Sequence, residues 1–363
     1  MDSNNYKTTP LYETHLELGG KMIEYAGFNM PVEFTGVISE HLSVRETCGV
    51  FDVSHMGEFL ISGDDAVANL NRIMTNEMST LKPGKVRYTL MCNDSGGIID
   101  DLLVYCITEG RYLLIVNAAN RDKDFLWISD NLKGDCIIDD LSDGLALLAV
   151  QGPESDRLMD RLLTNGKLPE KYYSFNENVE ISGIKLTASY TGYTGERGFE
   201  LLCRTHEVTE LYNSLLNADD ISVLPCGLAA RDTLRLEAAF PLYGHELNEN
   251  ITPIEAGLGF AVKTDKDFFI GKESIINNPV RYSRIGLKVT GRGIAREGNT
   301  VELNGENIGT ITSGTYLPYL KGAYAMASVS KDIVNIHDVV TIDIRGRKVE
   351  AEVVKLPFYK SNK

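Results

Sequence analysis

The spacing of apolar and polar positions changes repeatedly along this chain. Apolar, branched runs over Val86–Cys92, Ile98–Ile107 and Tyr112–Ala119, separated by Asn-Asp-Ser-Gly-Gly and Thr-Glu-Gly-Arg, predict three strands in a β-meander. Folding the runs symmetrically about their turns places Asp101 opposite Thr89 on one side and Asn117 on the other. A slip of one residue would swap faces and bring in Asp100 instead. Helical spacing marks 36–48 (Ile38, Leu42, Val44), 65–74 (Ala66, Leu70, Ile73) and 121–132, whose apolar side carries the only Trp, Trp127. Leu145–Gln151 reads as a buried strand, and Pro153-Glu154-Ser155-Asp156 starts a helix reaching about Leu163. Beyond about residue 280 the texture becomes short strands and tight turns, with hairpin signals at Val301–Gly305 and Ile342–Arg347. Residues 283–363 therefore predict a small separate β-barrel or sandwich.

Length and charge narrow the picture. A chain of 363 residues exceeds one typical core, so two or three domains are expected. A net charge of −15 argues against a nucleic-acid surface. No apolar run approaches the roughly 18 residues of a membrane helix, and Met1–Asn5 lacks a basic-then-apolar signal, so the expectation is a cytoplasmic protein off the membrane. Six scattered cysteines without a CxxC pair predict buried reduced thiols. The dispersed histidines, with no HExxH, predict no metal site.

Three stretches carry candidate chemistry. Gly96-Gly97-Ile98-Ile99-Asp100-Asp101-Leu102 sets two adjacent carboxylates inside an apolar strand. Neighbouring side chains on a strand face opposite ways, so at least one carboxylate meets a covered surface. Either it reaches water or a backbone amide near the strand end, or it serves a ligand or a reaction. Thr191–Leu202 has glycines at 192, 195 and 198 ahead of Glu200, another carboxylate interrupting an apolar strand. No phosphate-loop or dinucleotide context accompanies them. Cys226–Ala239 is a strong helix by composition, with Arg231 and Arg235 one turn apart and Asp232 and Glu237 available for pairing. A salt-bridged surface helix is the plainer expectation, and a donor fork for a carbonyl or carboxylate the alternative. His55, alone after a strand, reads as a hydrogen-bonded scaffold residue.

The ordered set of motifs resembles the T protein, or aminomethyltransferase, family of the glycine cleavage system. It comprises Gly-Val-Phe-Asp-Val-Ser-His-Met (49–56), Gly-Gly-Ile-Ile-Asp-Asp-Leu-Leu-Val-Tyr (96–105), Val-Asn-Ala-Ala-Asn (116–120), Thr-Gly-Tyr-Thr-Gly-Glu (191–196), Ala-Arg-Asp-Thr-Leu-Arg-Leu-Glu-Ala (230–238), Leu-Tyr-Gly-His-Glu (242–246) and Ile-Thr-Ser-Gly-Thr (311–315). The resemblance implies an α+β, three-domain cloverleaf: two mixed α/β folate-binding domains with antiparallel sheets, plus a C-terminal β-barrel or jelly-roll-like domain. It divides the chain into a discontinuous folate-binding core (1–56 and 142–245), a meander-and-helix domain carrying Asp101 (57–141), a connecting segment (246–282) and the barrel (283–363).

The implied co-substrate is tetrahydrofolate, and the implied partner is the lipoylated H protein, whose lipoyl arm carries the aminomethyl group. Asp101 falls on the family's catalytic aspartate, and Glu200 and Arg231 on its pterin-facing pair. Met56, Tyr88, Tyr105, Asn117, Tyr173 and Tyr193 fall on folate-pocket positions. Phe28, Ala229, Leu317 and Lys321 depart from the usual pattern and read as packing changes. Two other activities fit the same scaffold: a non-catalytic folate-binding paralogue and a folate-dependent demethylase. Tyr243–Asn248 lacks the Cys typical of the first, and the intact Asp101 stretch favours the transferase.

Overall fold

The computed structural model describes residues 6–361, so the Met1–Asn5 stretch lies outside the described residues. Three β-systems organise the chain. The central one is a seven-stranded sheet in the order Leu163–Asn165, Phe175–Ile181, Ile184–Ser189, Gly198–Arg204, Leu145–Gln151, Cys48–Asp52, Val223–Cys226. Its inner strands, Gly198–Arg204, Leu145–Gln151 and Cys48–Asp52, are largely apolar on both sides because both sides are covered. One face packs Val150, Leu201 and Phe199 against helices Ser155–Leu162 and Val208–Leu216. The other packs Phe51, Leu147 and Ala149 against Val86, Leu113 and Ile115 of the meander and Ala230 and Leu234 of the arginine helix, Leu228–Glu237.

The meander occupies a five-stranded sheet, ordered Lys85–Cys92, Ile98–Thr108, Arg111–Val116, Gly57–Ser62, Ile137–Asp140. Helices Ala66–Ile73 and Arg121–Asn131 cover its outer face. Backbone hydrogen bonds from Val86 to Tyr173 (2.9 Å) and from Phe175 to Gly84 (3.0 Å) stitch the two sheets together.

The register of the meander differs in part from the symmetric expectation. Cys92 pairs with Ile98 as folding about the turn requires, but the next pair is Met91 with Asp100. Ile99 is therefore one extra residue, a β-bulge, and beyond it Asp101 lies opposite Leu90 rather than Thr89. Tyr88, two residues along, is the diagonal neighbour of Asp101 on the same face.

From Tyr282 onward six strands close into a barrel around Leu287, Val301, Ile311 and Ala327. Two of its hairpins turn on Asn304-Gly305 and Arg345-Gly346, whose φ angles (54° and 86°, 56° and 80°) are all positive. Asn and Gly tolerate that conformation, which explains the legible turn signals. Leu317 is fully buried, a packing position, whereas Lys321 is an exposed turn residue at φ 52°, a conformation that glycine adopts without strain, so there the expectation of a packing change does not hold.

The arginine helix is not a surface helix. Arg235 is 2% exposed and binds Asp232, Glu246 and Ser313 of the barrel, so its charge ties three segments together. Glu237 does the same: it accepts from Arg45 Nε (2.7 Å), interacts with His41 Nε2 (3.1 Å) and accepts from the Leu320 amide (3.3 Å). Burial alone would raise the Glu237 pKa, but His41 and Arg45 outweigh it and hold the group below the ordinary value of 4.5. The stability it contributes is present above that value and is lost as pH falls through the lowered one. Glu237→Ala takes from Arg45 the shorter of its two buried ion pairs, Glu196 at 3.4 Å being the other, and leaves His41 and the Leu320 amide without their acceptor; it is expected to cost about 3 kcal/mol, read as a lower urea midpoint at pH 7. An unchanged midpoint would show that Arg45 finds other partners. No helix of the described residues is long and apolar enough to cross a membrane.

Candidate functional site

A cavity of about 830 Å³ opens where the seven-stranded sheet, the meander, the arginine helix and the barrel meet. Seven of the eight expected folate-pocket or pterin-facing residues line it: Met56, Tyr88, Asn117, Tyr173, Tyr193, Glu200 and Arg231. The expected catalytic residue, Asp101, lines it too.

Strand alternation divides the aspartate pair. Asp100 turns away, fully buried beneath the helix Arg121–Asn131, while Asp101 faces the cavity. Both oxygens of Asp101 are held: Tyr88 donates its hydroxyl to Oδ2 (2.9 Å) and Asn117 donates Nδ2 to Oδ1 (3.0 Å). Asn117, at the end of its strand, also donates Nδ2 to Asp100 Oδ1 (2.8 Å), so one amide spans both carboxylates. Burial first, and the Asp100 charge second, push the Asp101 pKa up to about 7. Tyr88 lies flat against Phe260, with ring centroids 6.0 Å apart.

Across the cavity, Glu200 lies on the strand Gly198–Arg204, paired with Ala149. Thr191 donates its hydroxyl to Glu200 Oε2, and no hydrogen bond reaches Oε1 among the described residues. Burial pushes the Glu200 pKa up, opposed by Thr191 and the Arg231 charge. Gly192 and Gly198 are required here because a Cβ at either would run into the Gln151 side chain, at 2.1 and 2.5 Å. Arg231 places its guanidinium 4.8 Å from the Tyr193 ring centre, a cation–π contact, and its buried Nη1 has no partner among the described residues. Tyr193 is fixed by donating its hydroxyl to the Pro241 carbonyl and by stacking on Phe240.

Tyr105 is the expected residue that does not line the cavity. It stands one layer behind, within hydrogen-bond reach of Ser189 Oγ (3.2 Å) and Thr191 Oγ1 (3.4 Å), and so buttresses the residue that grips Glu200. His55 corrects the scaffold expectation. It borders the cavity between the edges of Tyr25 and Phe28, and its buried Nδ1 has no partner among the described residues. Burial pushes its pKa down to about 4, so it is neutral at pH 7. Phe260 and Arg284, which also line the cavity, carried no sequence signal because they lie outside any motif. Among the described residues no group of His, Cys, Asp and Glu could hold a metal ion.

The cavity and its carboxylates can therefore hold a polar heterocycle edge-on at Glu200 and place a fixed anion, Asp101, at its far side. Comparison with known proteins bears on this arrangement. The family model for the GCVT N-terminal domain matches residues 11–266, and that for the glycine cleavage T-protein C-terminal barrel domain matches 283–360. The chain is 45% identical over 362 residues to an aminomethyltransferase of Geobacillus sp. (strain WCH70), covering 98% of this chain and all of that one. It is 45% identical over 359 residues to the aminomethyltransferase of Bacillus subtilis (strain 168), covering 98% and 99%. The crystal structure of the glycine cleavage system aminomethyltransferase T from Bartonella henselae superposes with a TM-score of 0.90 at 32% identity, over 98% of this chain and 99% of that one. Matched along nearly its whole length in sequence and in fold, this chain belongs to the glycine cleavage T-protein family of aminomethyltransferases.

Proposed function

We propose that this protein transfers the methylene of an aminomethyl group, carried on the lipoyl arm of an H protein, to tetrahydrofolate, releasing ammonia. The observation that carries the proposal is the pairing of a doubly anchored Asp101 with Glu200 and Arg231 across one cavity. The residues fit the folate. The volume lies in the range of small-molecule sites. A pterin edge presents a ring N–H beside an exocyclic amino group, two parallel donors that match a single carboxylate. Glu200 keeps Oε1 and a lone pair of Oε2 for them, and the free Arg231 Nη1 can donate to a neighbouring carbonyl oxygen. Tyr193 and the Tyr88–Phe260 pair supply aromatic cover.

In the reaction two folate nitrogens each form a bond to the methylene carbon. The bonds from that carbon to the amine nitrogen and to the lipoyl sulfur break, and the two folate N–H protons end on ammonia and the thiol. Positive charge develops at the methylene and the attacking nitrogen. Asp101, held by Tyr88 and Asn117, meets that charge without reorganising and orients the nitrogen. It also stands as acceptor for a departing proton, directly or through water.

Met56, Tyr173 and Asn117 complete the pocket in this proposal, and Tyr105 acts from behind Thr191. The bacterial relatives support a cytoplasmic setting with the H protein. The test is ammonia release from aminomethylated H protein with and without tetrahydrofolate. Fast folate-dependent release is expected. Folate binding without release would point instead to a non-catalytic paralogue or to a demethylase acting on methylated donors.

A further inference from the structure

Beneath the cavity lies a second carboxyl group that the reaction above does not use. Asp124, on the first turn of the helix Arg121–Asn131, is fully buried beside the Asp100 carboxyl. The two are not equivalently solvated. Asp100 accepts from the Asn120 side chain (2.6 Å), the Asn117 side chain (2.8 Å) and the Asn117 backbone amide (3.1 Å). Neither oxygen of Asp124 receives a hydrogen bond from any donor among the described residues. Two adjacent carboxylates sealed from water cannot both ionise, and the proton goes to the partner with fewer donors.

We propose that Asp124 is a neutral carboxylic acid that donates its proton to Asp100, and that it is a positioning residue for Asp101. The role rests on the function proposed above; the protonation does not. With Asp124 as donor, Asp100 remains an anion and holds Asn117 from below. The same Asn117 amide holds Asp101 Oδ1 from the side. The Asp100 charge then makes Asp101 a stronger proton acceptor than an isolated carboxylate.

Other ionisable groups surround the chain of carboxyls. Lys123 bonds the Ile99 carbonyl, the Tyr243 hydroxyl and Glu249, and its charge favours ionisation of Asp124. On the cavity side Asp101 accepts from the Tyr88 hydroxyl, and its charge is felt by Tyr193. None of these supplies a donor to Asp124, whose pKa burial and the Asp100 charge push up to about 11.

The experiment compares wild type, Asp124→Asn and Asp124→Leu. Asparagine keeps a donor for Asp100 and cannot ionise; leucine has no donor. At pH 7 the infrared difference between wild type and Asp124→Asn is expected to show the loss of one protonated carboxylic C=O band. In Asp124→Leu, Asp100 loses the Asp124 donor and keeps a proton up to a higher pH, so Asp101 sits beside an anion over a narrower pH range. The acid limb of the pH–turnover profile is then expected to move down by about one unit, while Asp124→Asn keeps the wild-type limb. No band lost in Asp124→Asn means that Asp124 is ionised or that the proton rests on Asp100, and overturns the proposal. An unmoved limb in a folded Asp124→Leu also overturns it, by reducing Asp124 to a packing residue. If the leucine variant does not fold, the infrared comparison of the near-isosteric asparagine variant still decides. Because the infrared reading needs no turnover, a failure of the transferase assignment would be seen separately.

Discussion

Asp101→Asn is expected to depress turnover by about 10²–10⁴-fold while leaving tetrahydrofolate affinity within about twofold. The amide is nearly the same size: its oxygen still accepts from Asn117 and its NH2 can donate to the Tyr88 hydroxyl oxygen, which then reverses its role, so the side chain stays in place, but its charge and its capacity to take a proton are gone. In the proposed arrangement binding rests on Glu200 and Arg231, which the substitution does not touch. The wild-type pH profile adds an independent check. Because the Asp101 pKa is pushed up, to about 7, the anionic form is present above that pH and turnover falls as pH drops through it. The Asn variant should lose this limb along with the rate. Wild-type turnover in Asp101→Asn would remove the residue from the chemistry, whatever its place in the cavity.

Glu200→Ala is expected to weaken folate binding by about 100-fold, with KM raised far more than kcat is lowered. Removing the carboxylate strips the pterin edge of its paired acceptor, frees the Thr191 hydroxyl and removes the negative charge that Arg231 stabilises. Equilibrium titration with tetrahydrofolate checks it without needing the H protein. Equal affinity in the variant would refute the pterin assignment and would leave Arg231 as the candidate for the same edge. The two substitutions thus separate: one loses rate at constant affinity, the other affinity at nearly constant rate.

Much of this site was legible before any coordinates, and the part that was not has identifiable causes. The strands Ile98–Thr108 and Gly198–Arg204 announced themselves because a carboxylate inside an apolar run conflicts with the local pattern, and such conflicts gather at working sites. The barrel was legible through its two-residue turns. The register of the second hairpin was legible, since Leu103 to Cys106 pair symmetrically with Ile115 to Tyr112, but that of the first was not: beyond Cys92 and Ile98 a single extra residue, Ile99, shifts it and has no signature in apolar periodicity. The arginine helix was expected at the surface because its composition is that of a solvated face. Arg235 is held by Glu246 and by Ser313, 78 positions later, and no local rule anticipates those contacts. Arg284, Phe260 and the cavity role of His55 were missed for the same reason: each reaches the site through tertiary packing alone.

The bulge at Ile99 has a chemical consequence of its own. Tyr88 and Thr89 are adjacent, both carry a hydroxyl, and a strand in simple phase would have presented the threonine to Asp101. The offset assigns them different work: Thr89 is buried, accepting from the Asn76 amide, while the phenol reaches the aspartate. A phenol is a far stronger acid than an aliphatic alcohol, so Asp101 gains a stronger donor, on a ring that lies beside Phe260. Which hydroxyl serves the anion is thus decided by counting residues along the backbone, and a point substitution elsewhere on either strand would leave that assignment intact.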